Sequence, residues 1–172
     1  MNVKKITLMS VLIAAAVVIG ILESFIPSFG IPGIKLGLAN IVILVSLYEL
    51  GPKEAAVISF LRVYLAALLK GSILSMGFLM SLSGAVLSYL VMLIFYLFIK
   101  KFSIVGVSVI GAMFHSLGQI LIAMLYLSTT SMIYYFPFIG VSSLITGIIV
   151  GFVSLAIIKT GIIKKQRNKY NF

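Results

Sequence analysis

Few side chains in this 172-residue sequence could carry out chemistry. It has no cysteine and no aspartate, a single histidine (His115), and three glutamates (Glu23, Glu49 and Glu54) as its only acids. Without cysteine there are no disulfides, thiolate metal sites, iron–sulfur clusters or cysteine nucleophiles. One imidazole cannot supply the paired histidines of a zinc site. Magnesium-dependent handling of diphosphates needs clustered carboxylates, because hard oxygen ligands must hold the cation against phosphate. No two of these glutamates are close together on one helix face. The pattern Gly-x-x-x-x-Gly-Lys-Ser/Thr does not occur either, so no phosphate loop for ATP hydrolysis is expected. The expectation is a chain without metal or cofactor that is not an enzyme. The groups left are suited to binding: Lys35, Asn40, Arg62, Ser81, His115 and Gln119.

The elements that must position them are membrane helices. The chain is 62% hydrophobic and 9% charged, with a mean hydropathy of +1.29, outside the range of a soluble domain. At about 20 apolar residues per crossing, the length accommodates roughly six helices and no separate soluble domain. The expectation is an all-α integral membrane protein, residues 1–172 forming a single six-helix domain with a short basic tail over 160–172. Apolar runs place the spans near Ile6 to Ile26, Leu36 to Leu50, Glu54 to Leu69, Phe78 to Ile99, Ile104 to Leu127 and Ile133 to Ile158. Turn chemistry separates them at Pro27, Gly30, Pro32 and Gly33, at Gly51-Pro52, at Gly71 and Gly77, at Lys100-Lys101, and at Ser128 to Ser131.

Charge placement orients the bundle. With the N-terminus in the cytoplasm, Lys4, Lys5, Lys53, Lys100, Lys101, Lys159 and the Lys164 to Lys169 tail all lie inside, and only Lys35 and Lys70 lie outside. Both termini are therefore expected in the cytoplasm. The net charge of +10 reads as a topology signal beside anionic lipid, and nucleic acid is the poorer partner for it. The first apolar run continues through Leu22, longer than a signal peptide core, and reads as a retained helix. The second is short, at about 22 Å of helix, so the stretch from Ser28 to Lys35 is expected to dip into the outer leaflet. Irregular backbone at that depth must be buried in protein or line a cavity.

The polar residues gather in the outer half of this bundle. Asn40 and Glu23 lie near outer helix ends, Ser81 and Ser83 at the outer end of the fourth span, and His115 and Gln119 one turn apart on one face of the fifth. Buried polar groups are expensive in hydrocarbon unless satisfied, so their convergence implies a cavity entered from outside, with Lys35 and Lys70 at its mouth. Arg62, about 12 Å into the third span, has two readings: contact with an anionic substrate group, or an internal tie to Glu49, Glu23 or helix carbonyls. His115 either lines the cavity or joins helices, Asn40 and Gln119 can likewise hold helices together, and Glu23 can pair with Lys35 or Lys70. Small residues four apart on the first helix, Ser10 with Ala14 and Ala16 with Gly20, permit close helix contact, as do Ser143, Gly147 and Gly151 on the sixth. The outer aromatics Phe25, Phe29, Phe78, Tyr134, Tyr135 and Phe136 suit interface anchors or a wall against a substrate ring.

The segment from Pro32 to Ile41, Arg62 followed by Gly71, Ser81-Leu82-Ser83-Gly84-Ala85, and Gly111-Ala112-x-x-His115-x-x-Gly118-Gln119 resemble the Gx transporter family. That family is also labelled heptaprenyl diphosphate synthase component I. The likeness runs from the first helix to the sixth; Ser116 stands where the family pattern has asparagine. The family is similar to the substrate-binding S components of energy-coupling factor transporters. The resemblance implies a multi-pass protein of a bacterial cell membrane with an outward-opening pocket for a small molecule, powered by a transmembrane coupling protein and ATPase subunits. It also implies that Ser10, Ala14, Ala16 and Gly20 face the coupling protein, although the usual pair of alanines four apart is missing. The label itself suggests an alternative, an accessory membrane subunit for isoprenoid, quinone or flavin-linked redox machinery. A secondary transporter using Glu23 or His115 for proton coupling is the third reading.

Overall fold

A computed structural model of the chain describes residues 3–25, 35–99 and 102–163. Six α-helices form among them: α1 (Val3–Glu23), α2 (Asn40–Glu49), α3 (Pro52–Leu69), α4 (Met76–Phe98), α5 (Ile104–Tyr126) and α6 (Phe136–Thr160), the last preceded by a 3-10 turn over Ser131–Tyr135. The turn residues expected at Pro27 to Gly33, Lys100-Lys101 and the tail from Lys164 fall outside the described residues.

Helix boundaries follow local chemistry. Pro52 opens α3 in the first turn, where its missing N–H is not needed, and Gly51 precedes it at a φ of 115°. Ser75 caps α4 by accepting from Phe78 N, and Ser103 caps α5 by accepting from Gly106 N. Gly161 in the left-handed region closes α6.

The bundle is apolar outside and partly polar inside. Val86, Leu90, Ile94 and Leu97 form an exposed stripe on α4, and Phe138, Val141, Ile145, Ile149 and Phe152 form one on α6. Ser46, Ser88, Ser108, Ser116, Gln119 and Ser154 are buried. That distribution suits a lipid solvent. Four segments are long and apolar enough to cross a membrane: Val3–Glu23, Met76–Phe98, Ile104–Tyr126 and Ser131–Thr160. α3 has 18 residues but carries Lys53, Glu54 and Arg62. α2 starts at Asn40 rather than Leu36, and its 10 residues cover about 15 Å, half a hydrocarbon core. The residues just before it, Lys35 to Ala39, are not helical.

α5 is the central pillar, packed most extensively against α4 on one side and α6 on the other, while α1 lies on α3. Glycines make the α5 contacts close. A Cβ on Gly147 would stand 2.7 Å from Val109 Cα, one on Gly151 2.7 Å from Val105 Cα, and one on Gly118 2.9 Å from the Ser83 carbonyl. At the other end of α1, Lys5 pairs with Glu54 of α3. Gly147→Val is expected to lower the thermal midpoint in detergent, with an overpacking penalty of about 1–3 kcal/mol, because backbone cannot yield as a flexible side chain does. Gly140→Ala, where a Cβ meets nothing within 4 Å, leaves the midpoint unchanged in the same measurement.

Candidate functional site

One end of the bundle collects the C-termini of α1 and α3, the N-terminus of α4 and the non-helical Lys35 segment. Between them is a cavity of about 240 Å³. Its polar wall includes Glu23, Lys35, Arg62, Lys70, Ser81 and His115, and its apolar wall includes Ala16, Val63, Ala66, Ala67 and Phe78. Small residues on α1 and α3 leave this space: Ala16 and Gly20 face Ala66 and Ala67 across it.

The Lys35 segment is fixed by side chains from three helices. Gln119 of α5 accepts from Lys35 N at 2.8 Å and donates to Lys35 O at 3.1 Å, pairing with that residue as a neighbouring strand would. Glu23 of α1 accepts through Oε1 from Gly37 N and, at 3.2 Å, from Leu38 N. Thr146 of α6 donates to Leu36 O at 3.3 Å. Gly37 turns the chain at a φ of 85°, a conformation that favours glycine, and the spot where its Cβ would lie is 3.4 Å from the His115 ring. Asn40 N and Ile41 N then donate to Gly37 O and Leu38 O as the helix begins.

Arg62 is 7% exposed. Its Nη2 donates to Asn40 Oδ1 at 2.9 Å, and Asn40 Nδ2 donates in turn to Ser88 Oγ at 3.3 Å, tying α3, α2 and α4 together. Arg62 Nε has no hydrogen-bond partner. Lys35 Nζ reaches across to Ser81 Oγ at 2.8 Å, and Ser81 donates back to Gly77 O. Lys70 donates to Ser24 at the rim. His115 lies against Gly84, where a Cβ would come within 3.0 Å of the ring; its Nδ1 faces that backbone without a hydrogen bond of normal geometry.

The sequence-predicted residues therefore fall into two groups. Lys35, Arg62, Ser81 and His115 surround the cavity. Asn40 stands behind Arg62, and Gln119 is turned to the Lys35 backbone, so these two shape the site without lining it. On α1, Ala16 is buried and lines the cavity with Gly20, whereas Ser10 and Ala14 are exposed on the outer surface. Glu23 takes a part that sequence reasoning did not assign: it holds the backbone of Gly37 and Leu38 instead of pairing with Lys35 or Lys70. An acid inside an apolar run beside a Gly-rich connection was the available signal. The N-terminal turn of α4 at Ser75 and Gly77 was also missed as wall.

Lys35 lies on the connection between α1 and α2. Burial, then the adjacent Lys70, lower its pKa to about 8, with Glu23 opposing and Arg62 adding to the effect. Its ammonium is thus charged at pH 7 and is lost as pH rises through about 8. Reductive methylation followed by NMR titration is expected to resolve one lysine near pH 8, moved upward in Lys70→Gln because a repelling charge is gone. If every lysine titrated above 10, this enclosure of Lys35 would be wrong.

Gln119→Leu leaves Lys35 N and O unpaired at an expected penalty of about 1–3 kcal/mol. Hydrogen exchange over residues 35–38 should accelerate at least tenfold in this variant while exchange in the middle of α5 stays slow.

A family model described as heptaprenyl diphosphate synthase component I matches residues 12–157. No curated protein and no solved structure matches the chain.

Proposed function

The chain belongs to the heptaprenyl diphosphate synthase component I family, and from that premise we propose that it is the substrate-binding membrane subunit of a small-molecule transporter. In this reading it acts as the S components of energy-coupling factor transporters do, with a transmembrane coupling protein and ATPases supplying the energy. The chain crosses the cell membrane six times, the short α2 completing its crossing with the non-helical residues just before it, both termini are cytoplasmic, and the cavity opens outward.

The observation that carries the reading is the cavity itself. In a chain with so few polar side chains, Lys35, Arg62, Ser81 and His115 converge on one space at one end of the bundle. That end holds Lys35 and Lys70, while Lys5 and Lys53 lie at the other, where α1 and α3 begin, which agrees with an outward opening under the positive-inside rule. Binding rather than catalysis suits the inventory. The chain has no aspartate, and Glu54 and Glu23 are engaged with Lys5 and with backbone N–H groups. The exposed Ser10 and Ala14 on α1 suit a close helix partner, the place for the coupling protein.

Arg62→Ala and His115→Ala at normal expression are expected to reduce cellular uptake of the substrate at least tenfold. Native mass spectrometry of the complex purified under mild conditions should find a retained small molecule together with ATPase subunits. Co-purification with a prenyl synthase or a redox complex, and no ATPase, would instead support an accessory role in isoprenoid or flavin-linked machinery.

A further inference from the structure

The charges around the cavity do not balance. Lys35, Arg62 and Lys70 face it against one carboxylate, Glu23, whose Oε1 is already held by the Gly37 and Leu38 N–H groups. Two positive charges remain over. Residues 26–34, which join α1 to this segment, contain no ionisable side chain and cannot alter that count. One further feature has the same sign, and one of the three cations is incompletely bonded. The first turn of α4, at Ser75 and Gly77, presents the positive end of a 23-residue helix to the cavity. Arg62, more than nine-tenths buried in the wall, keeps Nε without a partner while Asn40 occupies Nη2. A buried cation with an unmet donor is costly unless an anion comes close to it.

The size of the space limits what can do so. At about 240 Å³ it is smaller than the ~300–1,000 Å³ of pockets for drug-sized ligands. Ala66, Ala67 and Phe78 give it an apolar side suited to a short carbon skeleton.

Resting on the substrate-binding role proposed above, we propose that the cavity receives a compact dianion, a small molecule carrying two negative charges close to a short apolar body. Arg62 meets the anionic group at depth, and Lys35 and Lys70 close over it from the rim. Phosphate monoesters and short dicarboxylates share this chemistry.

The full chain in detergent can be titrated with inorganic phosphate, succinate, acetate and glycerol at matched ionic strength while its thermal midpoint is followed. Phosphate or succinate should stabilise it at concentrations at least tenfold below acetate, and glycerol should do nothing. A response to phosphate alone assigns the phosphoryl class, and one to succinate alone the dicarboxylates. Arg62→Gln should abolish the response. Lys70→Gln, at an exposed position where folding is not at stake, should weaken it at least threefold. Equal responses to acetate and the dianions, no response to any probe, or an unchanged response in Lys70→Gln would overturn the inference. A retained molecule that is neutral or cationic would overturn the dianion yet leave the substrate-binding role standing. Wild-type uptake in Arg62→Ala cells with no retained molecule would remove both.

Discussion

Everything at the cavity depends on how five residues that are not helical satisfy their backbone inside an apolar bundle. In hydrocarbon an unpaired N–H or C=O costs several kcal/mol, and helices avoid this by bonding internally. Lys35 to Ala39 cannot. Their polar groups are met by Gln119, Thr146 and Glu23, drawn from three different helices. The arrangement of α1, α5 and α6 around this segment is therefore constrained by hydrogen-bond geometry at this end, and elsewhere by apolar packing with single polar ties such as Ser116 to Ser143 and Lys5 to Glu54.

That constraint consumes much of the chain's small polar supply. Gln119 and Glu23 serve the backbone, and Asn40 joins Arg62 to Ser88. What is left over is cationic. The cavity thereby gains its character by subtraction: the carboxylate and amides are spoken for, while Arg62 keeps Nε without a hydrogen-bond partner and Lys35 and Lys70 meet only serine hydroxyls.

The helical class and the family were legible in the sequence, because long apolar runs and the residues from Pro32 to Gln119 carry them directly. The α3 position of Arg62 and the placement of Lys35 and Lys70 at one end followed from counting 1.5 Å per residue. The division of labour within the site was not legible. His115 and Gln119 share a helix face, yet the ring borders the cavity and the amide turns to a chain segment 84 residues away. Periodicity assigns a face but cannot say which neighbour covers each turn of it. The same limit applies to α1, where two pairs of small residues with identical spacing face in different directions: Ser10 and Ala14 outward, Ala16 and Gly20 toward α3 and the cavity. The start of α2 was misplaced because Leu36, Leu38 and Ala39 are apolar enough to read as helix. Gly37 at positive φ and the three side chains that brace Lys35 to Leu38 select the irregular path instead.

Lys35 joins the two functions of this region in one residue. Its backbone is clasped by α5 through Gln119, and its ammonium crosses the cavity to Ser81 on α4. Since α4 and α5 are held together by glycine contacts that admit no slack, Gln119 and Ser81 form a rigid pair of anchors for it. Glu23 holds Gly37 and Leu38 from α1, which packs on α3 and has no comparable glycine lock to α5. A shift of α1 and α3 against the α4–α5 pair would strain the Glu23 bonds and widen the cavity on the side of Arg62 and Lys70, leaving the Lys35 anchor in place. The boundary between the α1–α3 pair and the α4–α5 pair thus runs through the cavity.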